Sequence, residues 1–160
     1  MDLTIAAIGK LKAGPDRELF ERYAERITPA GKALKFGPLT CIEIAESRRT
    51  SAKERRTEET AVLLAKIPPS ATLLSLDEKG DAVSSEQLAS LLRKQQDAGM
   101  SSLVFALGGP DGHGAAIAGR AARIISLGAI TLPHGLARIV LAEQIYRALT
   151  ILAGHPYHRK

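Results

Sequence analysis

LVFALGGPDGHG, at residues 103–114, decides how this chain is read. An unbroken apolar run ends in a cluster of glycines, which is the pattern of a buried strand emptying into a tight loop. Downstream, residues 115–126 are Ala-rich and are expected to be helical, with Gly119 letting the backbone approach a neighbour closely. Residues 129–132 (AITL) are expected to form a fifth, very short strand. Pro133 and His134 then open a long apolar helix, and a polar tail, HPYHRK, occupies residues 155–160. All four histidines, His113, His134, His155 and His158, fall in this last third, so a reactive site is expected there.

Working upstream, the same alternation recurs. Residues 3–8 (LTIAAI) stop at Gly9 and read as a buried strand. Pro15 opens PDRELFERYAERI, in which Leu19, Phe20, Tyr23 and Ile27 repeat at helical spacing. A loop marked by Pro29, Gly31, Gly37 and Pro38 is expected to lead to a second strand at 39–45. Ser51 and Glu54 have capping-box spacing, so a helix starts there and ends before Pro68. Residues 71–76 (ATLLSL) are a third strand, followed by a polar turn at 77–81. Ser84 and Gln87 form a second capping box, Leu88, Leu91 and Leu92 form a buried stripe, and Gly99 closes the helix. Residues 102–107 are the fourth strand.

Strands alternating with helices imply an α/β fold with a mostly parallel sheet flanked by helices. Ligands of open parallel sheets bind outside the carboxyl ends of the strands. Here those ends are the turns after Leu76, Leu107 and Leu132. The last helix carries apolar residues nearly all round, from Leu136 through Leu152, so it must be covered on more than one side. A second subunit, most simply two-fold related, is the expected second cover.

The 160 residues fit one domain, 1–160, large enough to bury a core without metals or disulfides. A hydrophobic fraction of 45% beside 24% charged residues is ordinary globular composition. One cysteine, Cys41, sits in an apolar run and reads as a small core residue, which fits a reducing compartment. No basic segment precedes the short N-terminal apolar run, and the longest apolar stretch contains Arg138, Glu143, Gln144 and Arg147. A signal peptide and a membrane span are therefore not expected, and the chain reads as soluble and cytoplasmic. Its net charge of +5 suits a polyanionic partner or simply a soluble surface.

The remaining motifs exclude more than they assign. GGPDGHG does not match G-x-G-x-x-G and lacks the Lys and Ser/Thr of a Walker loop. Histidine spacing gives no metal site, and no hydrolase elbow is present. Arg48, Arg49, Lys53, Arg55 and Arg56 interleave with Glu54, Glu58 and Glu59; that is a solvated helix face, with phosphate contact as the alternative. His134 reads as a cap or a packing residue. Glu143 and Arg147 form an i, i+4 pair, whereas Arg138 has no such partner. In the tail, Tyr157 offers a stacking surface beside His158 and Arg159, which is the chemistry of RNA contact, or of a frayed end.

AAIGKLK (6–12), LLSLDEKG (73–80), FALGGPDG (105–112), ITLPHGLARIVLAEQIYRA (130–148) and HPYHRK occur in one order across the chain. Together they resemble the RlmH type of SPOUT methyltransferase, with Gly135 and the Gly112-His113 pair at positions expected to vary. The resemblance implies an α/β trefoil knot, a homodimer, and S-adenosylmethionine as methyl donor with no metal. It implies donor contacts at Leu76, at Gly108, and at Leu127, Gly128, Ala129, Ile130, Thr131 and Leu132. It also implies a substrate, N3 of a pseudouridine in 23S ribosomal RNA, met on the assembled ribosome. For that reaction Arg138, His158 or Arg159 would stabilise charge on the ring, and Glu143 or a histidine would accept the proton. The tail, including Tyr157, His158 and Arg159, would touch RNA and act at the partner's site. The rivals are a non-catalytic ribosome-binding factor and a flavodoxin-like nucleotide-binding domain.

Overall fold

The structure, a computed structural model, describes residues 1–158. Arg159, expected at the RNA contact, lies outside the described residues. The element order is β1 (Asp2–Ile8), α1 (Pro15–Lys32), β2 (Leu39–Ile44), α2 (Ala52–Ala65), β3 (Thr72–Ala82), α3 (Ser85–Asp97), β4 (Ser102–Leu107), α4 (Ala116–Arg120), β5 (Arg123–Ser126) and α5 (His134–Leu152). All pairings are parallel in a five-stranded sheet of order β2-β1-β4-β3-β5.

Side-chain alternation along the central strands builds two cores. Leu3, Ile5 and Ala7 of β1, with Leu103, Phe105 and Leu107 of β4, face Phe20 and Ile27 of α1, Leu88 and Leu92 of α3, and Ile145 and Leu149 of α5. The intervening Ala6, Ile8, Val104 and Ala106 point to the other face, onto Leu63 of α2 and Ile117 of α4. Both expected capping boxes form: Ser51 Oγ accepts from the Glu54 N–H at 3.2 Å, and Ser84 Oγ from the Gln87 N–H at 3.2 Å.

Four sequence expectations are corrected. Helix α1 does not stop at Pro29 but continues to Lys32, because burial of Ile27 and of Gly31 against Phe36 holds its last turn despite the lost N–H. The polar segment at 77–81 is not a plain turn: β3 runs on to Ala82, and its register with β5 shifts between Leu76 and Asp81. The Ala-rich segment is helical only over α4. Beyond it Ile125 is fully buried and β5 pairs with β3, so sheet pairing overrides helix propensity. Residues 129–132 are therefore not a strand; the fifth strand is β5, and they form the loop after it.

Helix α5 lies between α1 and α3, which bury Ile139, Leu141, Ala142, Ile145, Ala148 and Leu149. Much of the second cover assigned to a partner thus comes from within the chain. Leu136 is left 44% exposed and Val140 half-buried on one stripe. Among the described residues no helix is long and apolar enough to cross a membrane.

Candidate functional site: a cleft at the carboxyl edge of the sheet

Because the strands are parallel, the carboxyl ends of β3, β4 and β5 meet at one edge. They open there into a cleft of about 930 Å³, within the range of small-molecule sites. Its walls come from the part of β3 that follows Leu76, the Gly-rich loop after Leu107, the loop after Ser126 and the first turn of α5.

The Gly-rich loop is a folded turn fastened to α2. The Gly112 N–H donates to the Gly109 carbonyl at 2.9 Å, and Gly112 has φ near 80°, which favours glycine. Asp111 takes a two-pronged contact from Arg55, at 2.7 Å to Nε and 3.2 Å to Nη2, and the Gly114 N–H donates to Thr60 Oγ1 at 2.7 Å. That guanidinium holds the Asp111 carboxyl below the usual carboxylate range. A Cβ at Gly114 would lie 2.8 Å from the Arg56 carbonyl oxygen, so loop and helix touch backbone to backbone. Gly114→Ala is therefore expected to push the loop off α2. Urea denaturation followed by circular dichroism should show a loss of about 1–3 kcal/mol.

His113 sits on this loop with Nε2 3.3 Å from the Ala106 carbonyl. Burial pushes its pKa below the ordinary histidine value, against the opposing effects of Ala106 and Asp77, so it is neutral at pH 7. On the third wall, Ser126 Oγ donates to the Gly128 carbonyl at 2.9 Å and accepts from the Gly128 N–H at 3.2 Å. This clamp turns the chain, and Ile130 is left 80% exposed at the rim. Pro133 then caps α5, its carbonyl accepting from the Ala137 N–H at 2.9 Å.

Comparison with known proteins agrees with this architecture. A family profile described as "Predicted SPOUT methyltransferase" matches residues 1–158. The chain is 50% identical to the Ribosomal RNA large subunit methyltransferase H of Xanthobacter autotrophicus over 159 residues, 99% of either chain. It is 49% identical to the protein of that name in Methylobacterium radiotolerans, over 99% of this chain and 98% of the relative. For the one in Brucella anthropi the identity is 46%, over 99% of both. The chain belongs to the SPOUT methyltransferase family.

Within this SPOUT chain the residues expected to hold the donor converge. Leu76, Gly108, Leu127, Gly128, Ile130, Thr131 and Leu132 all line the cleft; Ala129 lies in the same loop but off its wall. The residues expected to carry the chemistry are elsewhere. Arg138 is fully buried and off the cleft wall, donating from Nη1 to Glu43 at 2.6 Å and from Nη2 to the Gly9 carbonyl at 2.8 Å. The partner that sequence spacing did not reveal is thus Glu43, on β2. Glu43 also accepts from the Leu11 N–H at 2.7 Å and from Arg17 at 3.1 Å. Burial alone would raise its pKa, but these three donors win and hold it below the usual value.

Glu143 and the tail form a second cluster, off the cleft wall of their own chain. The Tyr157 hydroxyl donates to Glu143 Oε1 at 3.1 Å, Arg147 Nε donates to the same oxygen at 2.9 Å, and Gln144 Nε2 donates to Oε2 at 2.6 Å. The Tyr157 ring packs edge-on to Tyr146 at 4.7 Å and carries the Arg147 guanidinium over it at 4.8 Å. Burial first, then Tyr23 and Glu143, push the Tyr157 pKa up to about 12, so the hydroxyl remains a donor. His158 Nε2 lies 3.0 Å from Glu86 Oε1 at the start of α3.

Arg56, Asp77, Lys79, His113 and His134 also line the cleft, and the sequence assigns none of them individually to it. Asp77 and Lys79 lay inside a quoted motif as neighbours of Leu76. Arg55 and Arg56, expected on a solvated helix face with phosphate contact as the alternative, divide: one braces the Gly-rich loop and the other faces the cleft. Among the described residues no group of His, Cys, Asp and Glu is placed to hold a metal ion.

Proposed function

We propose that this chain is an S-adenosylmethionine-dependent methyltransferase that acts on N3 of a pseudouridine in 23S ribosomal RNA. The observation that carries the reading is the convergence of three separate segments, after Leu76, at Gly108 and over 127–132, on one cleft. The cleft fits such a donor chemically. Leu76, Leu107, Leu127 and Leu132 offer apolar surface for a purine, and the Asp77 and Glu78 carboxylates suit a cationic ligand. When bound, the donor supplies an already activated methyl group on a sulfonium. The protein's task is then positioning, which can be worth roughly 7–11 kcal/mol, and stabilising the charge left on the ring.

We propose further that the chain is one domain with an α/β trefoil knot and works in the cytoplasm as a homodimer. The stripe at Leu136 and Val140 would serve as part of the interface. In that dimer the tail, with Tyr157, His158 and Arg159, meets RNA at the partner's cleft, and Glu143 anchors it there. The relatives' names give large-subunit ribosomal RNA as the substrate class, and the assembled ribosome is our reading of the form in which it is met.

The test is methyl transfer from labelled donor to ribosomes with and without pseudouridine. Transfer that requires both ribosome and pseudouridine is the expected result. Donor binding without transfer would keep the donor and overturn the substrate. Failure of both would leave the non-catalytic ribosome-binding factor.

A further inference from the structure

N3 of a uracil-type ring carries a proton that must leave when the methyl group arrives, so the reaction needs a base within reach of the cleft. Other acceptors near the site are engaged or belong to a weaker class of base. The Asp111 oxygens are on Arg55, and His113 spends Nε2 as a donor to the Ala106 carbonyl. Asp77, whose Oδ1 accepts from the Lys79 N–H at 2.9 Å, and Glu78 offer carboxylates, which as a class are weaker bases than imidazole. Glu143 has both oxygens occupied and lies off the wall.

His134 is different. It lines the cleft at the start of α5, its side chain is 33% exposed, and no hydrogen bond to its ring occurs among the described residues. Its Nε2 lies 4.0 Å from Glu46 Oε1, beyond the end of β2. The ring rests in a seat: a Cβ on Gly9 would lie 2.9 Å from Nε2, and the Gly9 carbonyl is fixed by buried Arg138. An imidazole facing a ligand cleft with a carboxylate behind it is the arrangement of an oriented general base, and such contacts often tighten only when substrate binds.

Resting on the reaction proposed above, we propose that His134 is the catalytic base that takes the N3 proton, and that Glu46 is its positioning residue. As the N3–H bond breaks, its proton passes to the free nitrogen of His134. The N3 electron pair forms the bond to the methyl carbon, and the S–CH₃ pair returns to sulfur, leaving a neutral thioether and an imidazolium. The imidazolium then gives its proton to water. Glu46 is the charged group beside the ring; Asp16 of α1 lies near Gly135, Arg138 is one turn along α5, and Asp77, Glu78, Lys79, Asp111 and Arg56 share the cleft walls.

The experiment compares the unaltered chain, His134→Ala and Glu46→Gln. It measures transfer to ribosomes at saturating donor, calorimetric binding of S-adenosylhomocysteine, and the effect of added imidazole. For His134→Ala we expect a loss of about 10²–10⁴-fold in rate, binding within threefold of the unaltered chain, and partial rescue by imidazole. Glu46→Gln should lower kcat by about tenfold with KM unchanged. A His134→Ala chain of normal rate would overturn the base while leaving the methyltransferase reading intact. Loss without imidazole rescue, or loss of rate together with S-adenosylhomocysteine binding, would also overturn it and make His134 a packing residue. No transfer by the unaltered chain would remove the reaction itself and the base with it.

Discussion

A chain ending at Gly154 is expected to bind S-adenosylhomocysteine as well as the full chain does and to methylate ribosomes about 10²–10³-fold more slowly. That is the loss found when one group that stabilises developing charge is removed. The truncation deletes Tyr157 and His158, and with them the hydroxyl on Glu143, the ring under Arg147 and the imidazole beside Glu86. None of these groups touches the cleft of its own chain, so donor affinity should not change. If the tail works at a partner's cleft, truncated chains mixed with chains carrying His134→Ala should recover part of the rate. In the mixed dimer one subunit supplies the intact cleft and the other the intact tail. The measurement is initial rate against the fraction of each variant. Full activity in the truncated chain alone would remove the tail from the reaction.

Arg138→Ala should destabilise the fold by about 3–5 kcal/mol, read from urea denaturation monitored by circular dichroism. The side chain is wholly buried, and its loss strips Glu43 of its shortest ionic contact and leaves the Gly9 carbonyl without its donor. Leu11 and Arg17 still hold Glu43, which places the expectation near the lower bound. The pH dependence has a definite sign. Glu43 has a depressed pKa in the fold, so its contribution is complete above the unfolded glutamate value of about 4.3 and is lost as pH falls through the lower folded value. In Arg138→Ala the folded value rises toward the unfolded one. The acid-dependent part of stability should shrink, and an unchanged acid slope would show that the pair is not coupled. The Gly9 seat of His134 depends on the same guanidinium. A lower kcat under conditions where the variant is still folded is therefore also expected.

The two corrections near the site have one cause. Residues 115–126 have the composition of a helix, yet Ile124 and Ile125 pair with β3, and Ile125 is buried completely. Local propensity is worth tenths of a kcal/mol per residue, whereas burying an isoleucine is worth about 1.5–3 kcal/mol, so the sheet wins. That choice pushes residues 129–132 out of the sheet and onto the cleft wall. The segment expected to hold the donor thus lies on the cleft wall as a loop rather than as a strand.

Local patterns in the sequence were sufficient for the capping boxes at Ser51 and Ser84, the parallel α/β class and the Gly-rich loop after Leu107. Each depends on spacing within a few residues, and strands of one direction put their carboxyl ends at one edge whatever the details. The Glu143–Arg147 pair of the last helix follows from its i, i+4 spacing, but tertiary structure alone decided the other partners of that helix. Arg138 finds Glu43, far away in sequence, and is buried; Glu143 finds Tyr157 across a turn of chain; His134, which reads as a cap, faces the cleft with Glu46 behind it. Charge partners are set by distance in space, and desolvation makes an unpaired charge too costly to bury. No periodicity within a helix carries that information.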